Sequence, residues 1–261
     1  MSMAQTQEGA LDAQKLVVMV LHNRAQGIVR LNGVPVTHLD SAGAAEGNFV
    51  TDSIGTMARW AQNGANVLTI EVRPSKPGYQ IETECRIIVA TGSLDDLDKP
   101  LFQRKLKGAG AITHNLDLRN VPHWAFQNGE PWKGDKQDVL EAVRALHKAF
   151  ADHDMKSLAA SLRPMFDDMS PVMGPVLGDF DENMRQMPQM LKTARVEPLA
   201  ADLKVESFYD DRLLVVSGKD GHPPIQITSA KIDEQTGRPE RVLESGGYWI
   251  RRDGRWVLIN Q

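Results

Sequence analysis

One cysteine, Cys85, occurs in 261 residues, so no intramolecular disulfide framework supports the fold and its cores must form by burial alone. No apolar run approaches the ~20 residues that a membrane-spanning helix needs. An excess of basic residues is also missing. Divided near residue 131, the chain carries 12 basic and 13 acidic residues before that point and 18 and 21 after it. Neither half can neutralise a phosphate backbone, which argues against a nucleic-acid binder. The seven histidines, at 22, 38, 114, 123, 147, 153 and 222, show no metal-ligand spacing. Glycine-rich nucleotide motifs are absent, and Ser53, Ser93 and Ser161 lack the context of a nucleophile elbow. The expectation is a chain with no metal and no cofactor.

With 41% hydrophobic and 25% charged residues, the composition is that of a globular protein. The length suffices for two cores of roughly 100 to 130 residues each. Residues 1–14 are polar and read as a flexible N-terminus. They carry no basic n-region, and Leu16 to Leu21 is too short for a signal h-region. A cytoplasmic place is expected, and a periplasmic one stays open if an export signal precedes this sequence.

From residue 15 to 126, short apolar runs alternate with turn residues: Leu16 to Leu21, Gly27 to Leu31, Val67 to Val72, Gln80 to Ala90 and Ala111 to Leu118. That spacing predicts an all-β sandwich. Asn32-Gly33 predicts a hairpin, Pro74 and Pro77 end a strand, and Cys85 reads as a packed thiol. The basic stretch Gln103 to Gly108 reads as a solvated turn. "IVRLNGVPV" and "NFVTDSIGTMARWAQNGANVLTIEVRP", residues 28 to 73, resemble the jelly-roll domains related to galactose-binding modules. In those domains an NG turn precedes a segment ending in G-x-N-x-L-x-I-x-V. The resemblance implies a sandwich fold and, more weakly, glycan recognition.

Gln127 to Lys136 concentrates Gly, Pro and charge and reads as a linker. Beyond it, residues 137–261 form the second expected domain. Val139, Leu140, Val143, Leu146, His147 and Phe150 fall at helical spacing, with Asp135 as N-cap, and predict a helix over Lys136 to His153. A second short helix, Met155 to Leu162, is expected to close at Pro164, and a third, about Asp179 to Val196, to kink or split at Pro188. Strands are expected at Leu203 to Tyr209, Leu213 to Ser217 and Ile225 to Ile232, with a closing hairpin turning at Asp253-Gly254. "HKAFADHDMKSLAASLRP" and "LESGGYWIRRDGRWVLIN" resemble the opening helices and closing hairpin of the NTF2-like (SnoaL-like) superfamily. That resemblance implies an α+β domain of helices packed on a curved antiparallel sheet.

His147, Phe150 and Asp154 stand at i, i+3 and i+7, so one helix face can offer an imidazole and a carboxylate to one cavity. In NTF2-like enzymes such residues do acid/base work, and Tyr209 or Arg251 would be the third group. Alternatively, His147 is a satisfied core histidine and Asp154 caps the second helix. Seven of the eleven methionines lie between residues 155 and 190. Among them Met184, Met187 and Met190 read as core packing, as an adaptable surface for a partner or apolar ligand, or as a Cu(I) thioether site that lacks supporting His or Cys. Trp249 and Trp256 are expected to pair across the closing hairpin, and Trp124 and Trp132 to pack between domains.

Three classes of function follow. The leading expectation is a non-catalytic binding or interaction protein whose partner is a protein or a small apolar ligand. The second is a small-molecule-binding NTF2-like protein with isomerase, dehydratase or hydrolase-type chemistry. The third is glycan binding by the N-terminal sandwich.

Overall fold

The computed structural model describes residues 10–45, 47–54, 57–90, 99–173, 178–218, 221–233 and 239–260. Strand outweighs helix in a β-rich, two-part fold, and the division into compact units falls between Pro122 and His123.

The first unit contains β1 (Leu11–Asp12), β2 (Leu16–Asn23), β3 (Ala25–Leu31), β4 (Val34–Asp40), β5 (Val50–Ile54), β6 (Gly64–Pro74), β7 (Glu82–Val89), β8 (Phe102–Lys107) and β9 (Gly110–Arg119). They form a five-stranded sheet, ordered β1-β9-β6-β3-β4, and a four-stranded sheet, ordered β5-β2-β7-β8. All pairings are antiparallel except β1 with β9. Alternation sets the buried faces: β2 buries Leu16, Val18, Val20 and His22, and β6 buries Asn66, Leu68, Ile70 and Val72. At the predicted hairpin, Asn32 and Gly33 have φ of 53° and 82°, the left-handed pair that a tight two-residue turn demands.

The Asn of the G-x-N-x-L-x-I-x-V stretch, Asn66, is a structural hub. Its Oδ1 accepts Nδ2–H of Asn32 at 2.8 Å and the amide of Gln62 at 2.9 Å, while its Nδ2 donates to the carbonyls of Gln62 and Gly64. Asn66 is 1% exposed, so the motif docks the NG turn onto β6 and offers no ligand contact. The stretch read as a solvated basic turn is β8 instead. Leu106 and Phe102 pair with Thr83 and Ile87 of β7, an alternation that the interleaved cations obscured in the sequence.

The second unit contains α1 (Gln137–Ala151), α2 (Met155–Met173), α3 (Phe180–Thr193), β10 (Ala194–Val196), β11 (Lys204–Phe208), β12 (Leu213–Ser217), β13 (Ile225–Ile232), β14 (Pro239–Ser245), β15 (Tyr248–Arg252) and β16 (Arg255–Asn260). The strands form antiparallel sheets ordered β10-β13-β14 and β11-β12-β15-β16. Val143, Leu146 and Phe150 of α1 and Leu158, Leu162 and Met165 of α2 pack in one core with Leu214, Val216, Ile227, Trp249 and Leu258 of the sheets. Asp253 and Gly254 make the closing turn, with φ of 50° and 70°.

The corner between α1 and α2 is hydrogen-bonded at every step. His153 takes a left-handed φ of 55°, its amide donates to Phe150 O, and Asp154 N donates to Ala149 O, which closes α1 as a Schellman motif. Asp154 then opens α2: its carbonyl accepts Leu158 N, and its carboxylate accepts the amide and hydroxyl of Ser157.

Several expectations are corrected. Helix α2 does not close at Pro164 but runs through it and Pro171 to Met173. Leu158, Leu162, Met165 and Met169 keep one buried stripe across Pro164, and burial at ~1.5–3 kcal/mol per large apolar side chain offsets the ~3 kcal/mol proline cost. Likewise α3 is continuous across Pro188, with Phe180 and Leu191 buried on either side. Residues 127–136 are built into the second unit: Glu130 N donates to Arg251 O and Trp132 N to Asp211 O. Trp256 lies opposite Arg251, and Trp249 opposite Leu258, so the two tryptophans are not a cross-strand pair. Trp256 meets the edge of Trp132 at 5.6 Å, and the Arg251 guanidinium covers Trp132 at 4.0 Å.

Candidate functional site

The acid/base candidates are placed by α1, its corner and the β11–β12 loop. His147 is half-buried, and its Nε2 donates to the carbonyl of Glu197 at 2.9 Å. Asp154 is exposed at the corner, where the hydroxyl and amide of Ser157 hold its carboxyl below the usual carboxylate range. Tyr209 sits in the β11–β12 loop with its ring 4.5 Å from that of Phe126. The bonds of His147 and Asp154 serve the fold, and the Tyr209 ring packs on Phe126. Phe150 (0% exposed) and Trp249 (3%) are sealed in the core, where the Trp249 indole N–H donates to Gly246 O at 2.7 Å. Met184, Met187 and Met190 are half-buried and pack against that same core, which includes the buried Met165 and Met169. No group of three or more His, Cys, Asp or Glu is positioned to hold a metal among the described residues.

Two clusters had no signal in the sequence. In the first unit His22 Nε2 lies 2.7 Å from Asp52 Oδ2, and His22 Nδ1 lies 2.9 Å from Ser41 Oγ. These are the partners of a serine-hydrolase triad, brought together by the pairing of β2 with β5. The geometry does not allow that chemistry. Ser41 and His22 are both 0% exposed, and Ser41 Oγ also accepts Ala25 N–H at 3.0 Å, so no acyl group can reach the oxygen. The cluster ties β2, β4 and β5 together. In the second unit, Arg241 Nη1 donates to His222 Nδ1 at 2.8 Å and lies 3.1 Å from Glu244 Oε1, a partly buried ion cluster on the β13–β14 pair. Cys85 is fully buried between strands, and desolvation pushes its thiol up to about 12, far from a nucleophile's range.

A cleft of about 370 Å³ opens in the second unit. Gln137, Leu140 and Arg144, at i, i+3 and i+7 of α1, form one wall, and Leu199 and Leu203 lie on the other. The second wall is an irregular strap, residues 197–203, between β10 and β11. It is clipped to α1 at both ends. His147 holds Glu197 O, and Lys136 Nζ donates to Val205 O at 3.3 Å just past its far end. Glu197 is fixed again by its amide bond to Gln226 O and by the Thr228 hydroxyl on its Oε1 at 2.7 Å. The helical spacing of Gln137, Leu140 and Arg144 was readable in the sequence; the strap facing them was not, because it has no periodicity.

Trp60, the tryptophan of the first unit, is 3% exposed and so cannot stack on a sugar ring. Among the described residues, no helix is long and apolar enough to cross a membrane. The chain matches no family model, no curated protein and no solved structure.

Proposed function

We propose that this chain is a non-catalytic binding protein whose second unit takes up a small ligand in the cleft between α1 and the strap. A single observation carries the reading: His147 and Asp154 are engaged in fold-maintaining bonds and neither lines the partly apolar cleft that opens between α1 and the strap. The same reading takes the second unit as an NTF2-like α+β domain, supported by three helices packed on antiparallel sheets and by the closing hairpin at Asp253-Gly254. It takes the first as a jelly-roll sandwich, supported by five- and four-stranded sheets with non-sequential strand order and alternating buried faces.

The test is native mass spectrometry of the full chain purified from its own host, followed by incubation of any released small molecule with fresh protein. A stoichiometric molecule recovered unchanged supports binding without turnover. Conversion of that molecule by the wild type but not by His147→Gln overturns the non-catalytic reading.

A further inference from the structure

We infer that the ligand of the α1–strap cleft is a small monocarboxylate with a short apolar body, its anion read by Arg144. This rests on the binding reading above and narrows it to one chemical class.

The lining sets the class. Arg144 is the one charged residue among those lining the cleft; it is exposed to solvent and no described carboxylate pairs with it. An unpaired guanidinium at a recess favours an anion, and its planar fork matches a carboxylate with two parallel N–H bonds. Beside it, Leu140, Leu199 and Leu203 offer apolar surface, and Gln137 at the far end of the α1 row offers an amide. The ligand therefore has one charged end and an apolar remainder. Size agrees: at roughly 30 Å³ per water-sized group, the recess holds on the order of a dozen heavy atoms.

The strap fixes the second wall of the recess. Its ends are held by His147 and Lys136, and Glu197 is tied a second and third time. Leu199 and Leu203 lie between those clips and line the recess opposite Leu140 and Arg144.

Hexanoate and its neutral analogue hexanamide are titrated into the full-length wild type and into Arg144→Gln, with amide chemical shifts as readout and a thermal melt to verify the variant's fold. Hexanoate is expected to shift resonances of residues 137–144 and 199–203 saturably, and Arg144→Gln to weaken it about tenfold. Hexanamide is expected to bind weakly and equally to both proteins. Equal affinity for acid and amide, or no loss in Arg144→Gln, overturns the carboxylate assignment and leaves the binding reading standing. If neither probe perturbs the cleft, this assignment fails together with the cleft as the ligand site. Should Arg144→Gln fail to fold, Arg144→Lys serves, with a smaller loss expected because a point charge replaces the fork.

Discussion

Phe150 separates a core role from a binding role. It is fully enclosed by α1, α2 and the sheets, next to Leu146, Leu158 and Trp249, so Phe150→Ala removes a whole ring from a packed interior. Such truncations cost ~3–5 kcal/mol, part lost transfer energy and part residual cavity. At roughly 4 °C per kcal/mol for a unit of this size, the melting temperature is expected to fall by about 12–20 °C. Phe150→Leu, which keeps most of the volume, is expected to cost under ~1.5 kcal/mol. Thermal and urea denaturation give the magnitude, and hydrogen exchange locates it, with protection lost in α1, β12 and β13. If Phe150→Ala keeps its stability but loses affinity for a cleft ligand, Phe150 is a binding wall and the core assignment is wrong.

Three further outcomes follow from named contacts. Cys85 is expected to resist alkylation at pH 8 until the chain unfolds; its thiol holds its proton to about 12 when folded against an ordinary value of 9.0. Stability from the thiol is thus full below pH 9 and lost as pH rises toward 12, so the gap between wild type and Cys85→Ala should shrink over that window in equilibrium denaturation. Asp154→Ala is expected to lower the melting temperature more than Asp154→Asn, since asparagine still accepts the Ser157 amide; equal losses would show that the negative charge, not the cap, matters. At Gly27 a Cβ would sit 2.2 Å from the Glu71 carbonyl oxygen, so Gly27→Ala should cost about 2–3 kcal/mol in a denaturant titration. An unchanged midpoint would mean that β3 and β6 separate freely.

Local chemistry made much of this protein legible in advance. Asn32-Gly33 and Asp253-Gly254 turn where positive φ is needed, the 3.6-residue row from Val139 to Phe150 becomes α1, and the alternation in β2 and β6 marks their buried faces. These features depend on neighbours a few residues away, which is why a linear reading reaches them. The errors share the opposite cause. Pro164 reads as a helix stop and Pro188 as a kink or split because their cost is local, yet apolar stripes that pack against distant strands carry α2 past the first and keep α3 unsplit across the second. Residues 127–136 read as a linker from composition, but backbone bonds to Asp211 and Arg251 fasten them to the second unit. At the candidate site, the reading of His147 as a satisfied histidine and of Asp154 as the cap of α2 was open to the sequence, while the partner of His147, the Glu197 carbonyl 50 positions further along the chain, was not. The triad-like contact of His22, Ser41 and Asp52 had no sequence signal, and burial alone removes it from chemistry. Residue types and spacing thus set which elements form; which side chains stay free to meet a ligand was decided by long-range pairing and exclusion of water.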